Sequence, residues 1–319
     1  MGKILLGILA ICLLQSCGGN DDNELQVQEF PSTVNATLEH QNKQREYVLH
    51  IPPAYDGLSD VPLVIVLHGG SGNAISVQGF TQMNSVSDGN GFIVAYPQGF
   101  GPTQNGGYSW ADGRQTSATS MGIDDVGFIS KLIEKVQADY RITSNKIYVC
   151  GFSNGGFMSQ KLACELENTF AGVGTLGATI GTEVLSQCSV SQSIPMLFML
   201  GDADPFVPYD GGTVANNPSP VAGIETLAEF WKNNNLCQTE SPEIQLPDLD
   251  TTDNSTVTLF EFSDCNCNAN VELYRINSGG HTWPGVENVN YEIIAGETNE
   301  DINASSVLWD FFNEHERCE

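Results

Sequence analysis

Short apolar segments alternate with longer amphipathic segments along most of this chain. Several of the short segments are apolar at every position, among them LVIVL at 63–67 and FIVAY at 92–96. A strand that is buried on both faces of a parallel sheet needs apolar side chains on both sides. Strands are therefore predicted at Tyr47–Ile51, Leu63–Leu67, Phe92–Tyr96, Ile147–Cys150, Ala171–Leu176, Met196–Leu200, Val257–Phe262 and Val271–Ile276.

The segments between these strands have the spacing of helices. In the first of them, apolar residues recur every three or four positions and form one stripe. Helices are predicted at Asp124–Tyr140, Gly155–Glu165, Val221–Asn234 and Ser305–His315. This alternation predicts an α/β fold with a doubly wound, mostly parallel sheet. Since no internal repeat or linker divides the chain, we expect a single domain over residues 29–319.

The first 28 residues have a different pattern. Lys3 precedes the apolar run Ile4–Leu14, which is too short to span a bilayer as a helix and is typical of a signal peptide, predicted here for residues 1–16. The run ends before Cys17 in a segment that resembles the bacterial lipoprotein box, so Cys17 is the expected site of lipidation and the only membrane contact. Residues 17–28 are interpreted as a flexible tether. The alternative is a secreted protein that is cleaved elsewhere, and both interpretations place the folded part outside the cytoplasm.

Charge and cysteine content narrow the function further. The chain has 12 Lys and Arg residues against 39 Asp and Glu residues, and its net charge of −27 repels phosphate backbones. Nucleic acid is therefore not an expected partner. Of nine cysteines, Cys12 and Cys17 lie in the leader, and an exported protein with seven others is expected to form disulfides. The odd number leaves one thiol over, and Cys150, in an apolar strand, is expected to be free and buried.

One serine stands in a glycine-rich turn between a predicted strand and a predicted helix. The segment from Gly151 to Gly155, GFSNG, fits the pattern G-x-S-x-G, with Ser153 at its centre. A sharp turn from strand to helix brings backbone segments together and requires residues without side chains on either side. Such a turn places the serine oxygen above the sheet and beside a helix N-terminus, which favours developing negative charge. Ser153 is the predicted nucleophile.

A serine nucleophile needs a base, and the chain has five histidines. His281 follows the strand Val271–Ile276 in a glycine-rich loop and is the predicted base. Asp204 follows the strand Met196–Leu200 and is the predicted acid, whereas Asp202 is expected to cap the turn. The chain order Ser153, Asp204, His281, with each residue just beyond a strand end, matches the α/β-hydrolase pattern.

A second glycine-rich loop lies in VLHGGSGN, residues 66–73, and supplies candidate backbone donors for an oxyanion. We call this segment the oxyanion loop. One backbone N–H is expected from Gly70 or Ser71, and the other from Asn154, the residue after the nucleophile. His68 in the same loop is expected to be structural.

Several longer motifs carry a resemblance to a known family. The segments PLVIVLHGGSGN, GFIVAYPQG, IDDVGFISKLIEKVQADYRI, IYVCGFSNGGFMSQKLACE, GDADPFVPYDGG and SGGHTWPG run in order from about residue 45. They resemble secreted esterases of the poly(3-hydroxybutyrate) depolymerase/feruloyl esterase family. The resemblance implies the same triad of Ser153, Asp204 and His281, with no metal or cofactor.

The resemblance also bears on the cysteines. The family often has a cysteine after HG in the oxyanion loop, where this chain has Gly70, so a disulfide is not expected there. Cys164 resembles a family cysteine whose partner here would be Cys188. Cys237 would then pair with either Cys265 or Cys267, and Cys318 with the other.

The substrate is an ester-bearing polymer or a small ester on this interpretation. Trp110 and Trp283 stand in loops expected to border the site, where they could stack on a feruloyl ring, a sugar or a polyester chain. The alternative for Trp283 is packing that holds the loop of His281. Two alternative functions remain, a serine peptidase of the same fold and a non-catalytic polymer-binding protein. The chain lacks a large gating domain, which argues against the first, and it keeps all three triad residues, which argues against the second.

Overall fold

A computed structural model describes residues 30–215, 217–287 and 289–318 of the protein. The predicted signal peptide, the lipidation site Cys17 and the whole of the predicted tether lie outside the described residues. Among the residues that are described, no helix is both long enough and apolar enough to cross a membrane.

The strands of the central sheet come from the whole length of the described chain. In chain order the strands are β1 (Thr33–His40), β2 (Lys43–His50), β3 (Val61–Leu67), β4 (Ile93–Pro97), β5 (Gly101–Pro102), β6 (Tyr108–Ser109), β7 (Ile142–Phe152), β8 (Gly172–Leu176), β9 (Met196–Gly201), β10 (Gly211–Thr213), β11 (Pro220–Ala222), β12 (Thr239–Glu240), β13 (Ile244–Gln245), β14 (Thr256–Ser263) and β15 (Val271–Asn277). All eight predicted strands are present, with ends shifted by a few residues.

Eleven of these strands form one mixed sheet. The order is β1-β2-β4-β3-β7-β8-β9-β15-β14-β12, and β13 also pairs with β14. Neighbouring strands from β4 to β15 run parallel, whereas the strands at both edges pair antiparallel. The predicted doubly wound, mostly parallel sheet in a single domain is confirmed. Because consecutive parallel strands end at the same edge, the loops after β3, β7, β9 and β15 gather there.

Helices cover both faces of the sheet. They are α1 (Ala74–Thr81), α2 (Met83–Asn90), α3 (Ser117–Ser120), α4 (Asp125–Asp139), α5 (Asn154–Glu165), α6 (Thr182–Gln187), α7 (Ile224–Asn234), α8 (Val289–Ala295) and α9 (Ala304–Asn313). Leu63, Ile65 and Leu67 of β3 pack in one apolar cluster with α4, α5 and α7. Val64 and Val66 point the other way, into a second cluster with α1, α2 and α9. This alternation is why the central strands are apolar at every position.

Helices α7 and α1 both differ from the sequence-based prediction, α7 in its first residue and α1 in its presence. The predicted helix Val221–Asn234 begins only at Ile224, because Gly223 has extended backbone and Val221 lies in β11. Helix α1 was not predicted, although Asn73 and Ser76 form a reciprocal capping box at its start. This helix matters for the site, because it forms one wall of the cleft into which Ser153 opens.

Candidate active site

Ser153 lies at the turn between β7 and α5. Its backbone has φ +54° and ψ −120°, a region that residues with side chains rarely adopt. Its N–H donates to Leu176 O at 2.8 Å, which ties the turn to the neighbouring strand β8. A side chain at Gly155 would collide with the backbone of Leu67 and His68, so the helix can start this close to β3 only with glycine there. The side chain of Ser153 is half-buried and opens into a cleft.

Asp204 and His281 meet beside this turn. Asp204 Oδ2 lies 2.6 Å from His281 Nδ1, and the Asp204 side chain is fully buried. The other oxygen, Asp204 Oδ1, accepts the N–H groups of Phe206 at 2.7 Å and Val207 at 2.8 Å. An ionised carboxylate can only accept hydrogen bonds, so the proton between the two side chains belongs to Nδ1. This leaves His281 Nε2 with its lone pair available.

The His281 ring is held by two aromatic neighbours and by its own backbone. Its centroid lies 4.7 Å from that of Phe152, the residue before Ser153, and 5.2 Å from that of Phe206. His281 N–H donates to Ala295 O at 2.6 Å. Within the described chain, no hydrogen bond joins Ser153 Oγ to His281 Nε2. Such bonds are commonly long before substrate binds.

Asp202 was expected to cap its own turn, but its side chain binds a loop that is remote in sequence. Its Oδ1 accepts the N–H of Ser278 at 2.6 Å, which joins the loop after β9 to the loop after β15. This bond adds to the backbone hydrogen bonds of Asp202 and Ala203 that also join these two segments, which carry Asp204 and His281.

The loop after β3 lies against the serine. A Cβ atom added at Gly70 would lie 3.7 Å from Asn154 Cβ, so Gly70 is next to the first residue of α5. Asn154 is the first residue of α5, where a backbone N–H has no partner within its helix. Between the two alternatives for the other donor, Ser71 is wrong, because its N–H donates to Tyr108 O at 2.9 Å. Gly70 N–H has no such acceptor among the described residues.

The side chain of Asn154 has a separate role that the sequence did not reveal. It is buried, and its Oδ1 accepts the N–H of Trp110 at 2.7 Å. Its Nδ2 donates to Asp112 Oδ2 at 2.6 Å, and the same carboxylate is bonded to Arg114. Because Asp112 and Arg114 are themselves buried, this network anchors the 110–114 loop on the start of α5.

The predicted substrate-stacking role of Trp110 and Trp283 is wrong, since both indoles are fully buried. Trp110 turns inward, donates its indole N–H to His68 O at 2.9 Å and packs on the His68 ring. The indole N–H of Trp283 donates to Ser305 Oγ at 3.2 Å. Trp283 is therefore a packing residue, which is the alternative to substrate stacking. Burying a large apolar ring stabilises the fold, because it removes apolar surface from water. The residues that surround each indole come from segments remote in sequence.

His68 is structural, as expected. Its Nδ1–H donates to Gly69 O at 2.8 Å, and its Nε2 accepts the N–H of Gly99 at 2.9 Å. Burial lowers the pKa of His68 to about 4, with the hydrogen bond to Gly69 opposing this shift. A neutral His68 therefore holds the oxyanion loop against the loop after β4.

Ser153 opens into a cleft of about 690 Å³. One side is the oxyanion loop, and much of the rest is apolar. The apolar lining residues are Ile75, Val77, Phe80, Phe152, Val286 and Tyr291. Sequence patterns did not single out Ile75, Phe80, Val286 or Tyr291, since a wall residue looks like any other apolar residue. Only the capping box of α1 offered a signal.

The cysteines form three disulfides in the described chain, Cys164–Cys188, Cys237–Cys265 and Cys267–Cys318. The first is the pair that the family resemblance implied, and the other two settle an alternative that the sequence had left open. Cys150 is free and buried, as expected, and burial raises the pKa of its thiol. No group of three or more His, Cys, Asp or Glu side chains could hold a metal ion within the described ranges.

The sheet order and the strand–turn–serine–helix unit define the class of protein, an α/β-hydrolase fold. Solved structures agree at the level of the fold. An acetyl xylan esterase from Aspergillus awamori matches with a TM-score of 0.55 at 14% identity, over 82% of this chain and 98% of that one. The feruloyl esterase module from Clostridium thermocellum, solved with sinapinate, matches with a TM-score of 0.51 at 17% identity. The match covers 85% of this chain and 89% of that module.

Sequence comparison identifies the family. Residues 45–204 match the family described as esterase PHB depolymerase. The chain is also 30% identical over 243 residues to the Aspergillus niger protein named "Probable feruloyl esterase C", covering 74% of this chain and 77% of that protein. The chain belongs to the esterase PHB depolymerase family and is a carboxylic ester hydrolase.

Proposed function

We propose that the protein is an extracellular serine esterase that uses Ser153, His281 and Asp204 as a catalytic triad. The observation that carries this proposal is the buried Asp204 carboxylate, 2.6 Å from His281 Nδ1 beside the strained turn of Ser153. A buried carboxylate held by two backbone N–H groups and one imidazole has the arrangement that orients a general base.

The mechanism follows from these contacts. His281 Nε2 takes the proton of Ser153 Oγ as that oxygen attacks the ester carbonyl carbon. The N–H groups of Gly70 and Asn154 bind the oxyanion that forms, and His281 then protonates the leaving alcohol. Water, activated by the same histidine, releases the acid from the acyl-enzyme. Asp204 keeps the proton of the neutral imidazole on Nδ1 and stabilises the imidazolium.

The substrate class proposed here is a feruloyl or acetyl ester of a polysaccharide, or a poly(3-hydroxyalkanoate). Named relatives and fold neighbours include feruloyl and acetyl xylan esterases, and the family name refers to a polyester depolymerase. The apolar cleft at Ser153 suits an apolar or aromatic acyl group. The three disulfides support a location outside the cytoplasm.

The decisive experiment compares the protein with Ser153→Ala. Ferulate release from methyl ferulate and from feruloylated arabinoxylan is measured beside 3-hydroxybutyrate release from amorphous polyester. Ser153→Ala should lower kcat by a factor on the order of 10⁶ on whichever substrate is turned over.

A matched control is Ser186→Ala, which removes the same hydroxyl from an exposed position on α6. It should leave the rates unchanged. Near wild-type activity in Ser153→Ala would refute the triad. Turnover of peptides but not of esters would favour the peptidase alternative.

A further inference from the structure

A second cavity adjoins the catalytic cleft. This groove of about 450 Å³ lies between the edge strand β1, its neighbour β2 and the start of α1. Ile75 lines both the groove and the cleft, so the two spaces meet at one side chain. An ester bound at Ser153 has two ends, and a neighbouring space of this size is placed to receive the end that the cleft does not hold.

The groove differs from the cleft in its chemistry. Asn35 and Thr37 are exposed on the same side of β1, and Glu46 of β2 is the register partner of Thr37. Within the described chain these three side chains make no hydrogen bond. An amide and a hydroxyl both donate and accept, whereas a carboxylate accepts only. Together they match a ligand that carries several hydroxyl groups.

Tyr108 adds an aromatic face to the groove. Tyr108 is 38% exposed, whereas Trp110 two residues later is fully buried. Its backbone accepts the Ser71 N–H at 2.9 Å and donates to Gly72 O at 3.0 Å, which positions Tyr108 beside the oxyanion loop. A tyrosine offers an apolar ring face and a polar hydroxyl at once, the combination that suits a sugar ring with C–H groups on its face and hydroxyls at its edge.

Charge restricts the ligand further. Glu46 lies in the groove, and the whole chain carries a net charge of −27. A ligand with its own carboxylate would be repelled, whereas a neutral sugar would not. A polyester would also fit poorly, because its continuation would meet polar side chains instead of an apolar track.

We propose that this groove is a subsite for a neutral glycosyl group, the alcohol part of the ester, while the apolar cleft holds the acyl group. The proposal rests on the proposed function and narrows its substrate to acyl esters of sugars. Asn35, Thr37 and Tyr108 determine specificity for the glycosyl part.

The test compares one acyl group on two alcohols. Values of kcat/KM are measured for methyl ferulate and for a feruloyl ester of a short arabinose–xylose oligosaccharide. The quantity of interest is the ratio of the glycosyl ester to the methyl ester. The variants are Asn35→Ala with Thr37→Ala, and separately Tyr108→Ala. The matched control is Thr33→Ala, which is exposed on the same strand but does not line the groove.

The ratio should fall about tenfold in each groove variant, as expected for the loss of one or two hydrogen bonds or one ring contact. It should be unchanged in Thr33→Ala. An unchanged ratio in both groove variants would overturn the subsite. An equal loss of kcat/KM for both esters in Tyr108→Ala would also count against the subsite, because it leaves the ratio unchanged and indicates a disturbed oxyanion loop. Failure of the unmodified protein to cleave either ester would instead refute the feruloyl part of the proposed function, which is a different result from an unchanged ratio.

Discussion

Two parts of the site differ in how their side chains are buried. The floor consists of the buried side chains of His68, Asp204 and His281, and the rim consists of the exposed residues Ile75 and Tyr108. On the floor, the polar atoms of Asp204 and His68 are buried and bonded, and His281 is held through its backbone, Nδ1 and two rings. On the rim, where the cleft meets the groove, Ile75 is 68% exposed, and Tyr108 of the groove is 38% exposed. Hydrogen bonds and ring contacts hold the floor side chains in place, whereas the exposed rim side chains can contact a ligand.

This difference separates two functions of one site. Buried, fully bonded groups keep a fixed orientation, which is what a developing charge and a proton transfer require. Exposed side chains contribute weaker contacts that select the substrate without changing the reaction. Changes to the floor should therefore act on kcat, and changes to the rim on KM.

The largest expected effect after loss of the serine is that of Asp204→Asn. The amide would donate where the carboxylate accepts, which favours the proton on Nε2 of His281, the nitrogen that must act as base. We expect kcat to fall by about 10⁴ while the fold is retained. Steady-state kinetics with methyl ferulate measure the effect. The control is Asp202→Asn, since Asp202 binds the same loop through Ser278 N–H without touching His281. Equal losses in both variants would contradict the assignment.

An intermediate effect concerns stability and its dependence on pH. Burial lowers the pKa of His68 to about 4, whereas an unfolded histidine titrates near 6.5. Below pH 6.5 the unfolded chain takes up a proton that the folded protein does not, so His68 makes stability fall as the pH falls. Between pH 8 and pH 5 this loss amounts to about 2 kcal/mol.

Urea unfolding of the protein and of His68→Gln at both pH values tests this expectation. Because all other titrating groups are shared, the stability advantage of the unmodified protein over the variant should shrink by about 2 kcal/mol at pH 5. An advantage that is the same at both pH values would show that His68 is not held neutral.

The smallest expected effect is on the rim. Ile75→Ala removes apolar surface that is already largely exposed, so KM for methyl ferulate should rise only about threefold with kcat unchanged. Leu58→Ala is the matched control, since Leu58 is also 68% exposed and does not line the cleft. A fall in kcat for Ile75→Ala would mean that the rim also positions the reacting groups.

The sheet and the identity of the candidate triad could be predicted because they depend on local signals. Each central strand is apolar over its own length, and Ser153, Asp204 and His281 each follow such a strand by a few residues. Parallel strands must end at one edge, so residues remote in sequence come together without further information. The contact between Asp204 and His281 is a consequence of that geometry.

The walls of the site could not be predicted in the same way. Trp110 and Trp283 stand in glycine-rich loops whose composition suggests exposure, yet both are buried. Phe80 and Tyr291 line the cleft, although nothing in their neighbouring residues distinguishes them from core positions.

Local sequence patterns were thus enough to assign the order of the elements, the serine turn and the residues placed at the strand ends. The folded chain was needed to show that Gly70 and not Ser71 has an available N–H, which cysteines pair, and which aromatic rings face solvent. The reason is physical. Strand and turn formation depend on neighbouring residues, whereas the burial of a side chain depends on which distant segments pack against it.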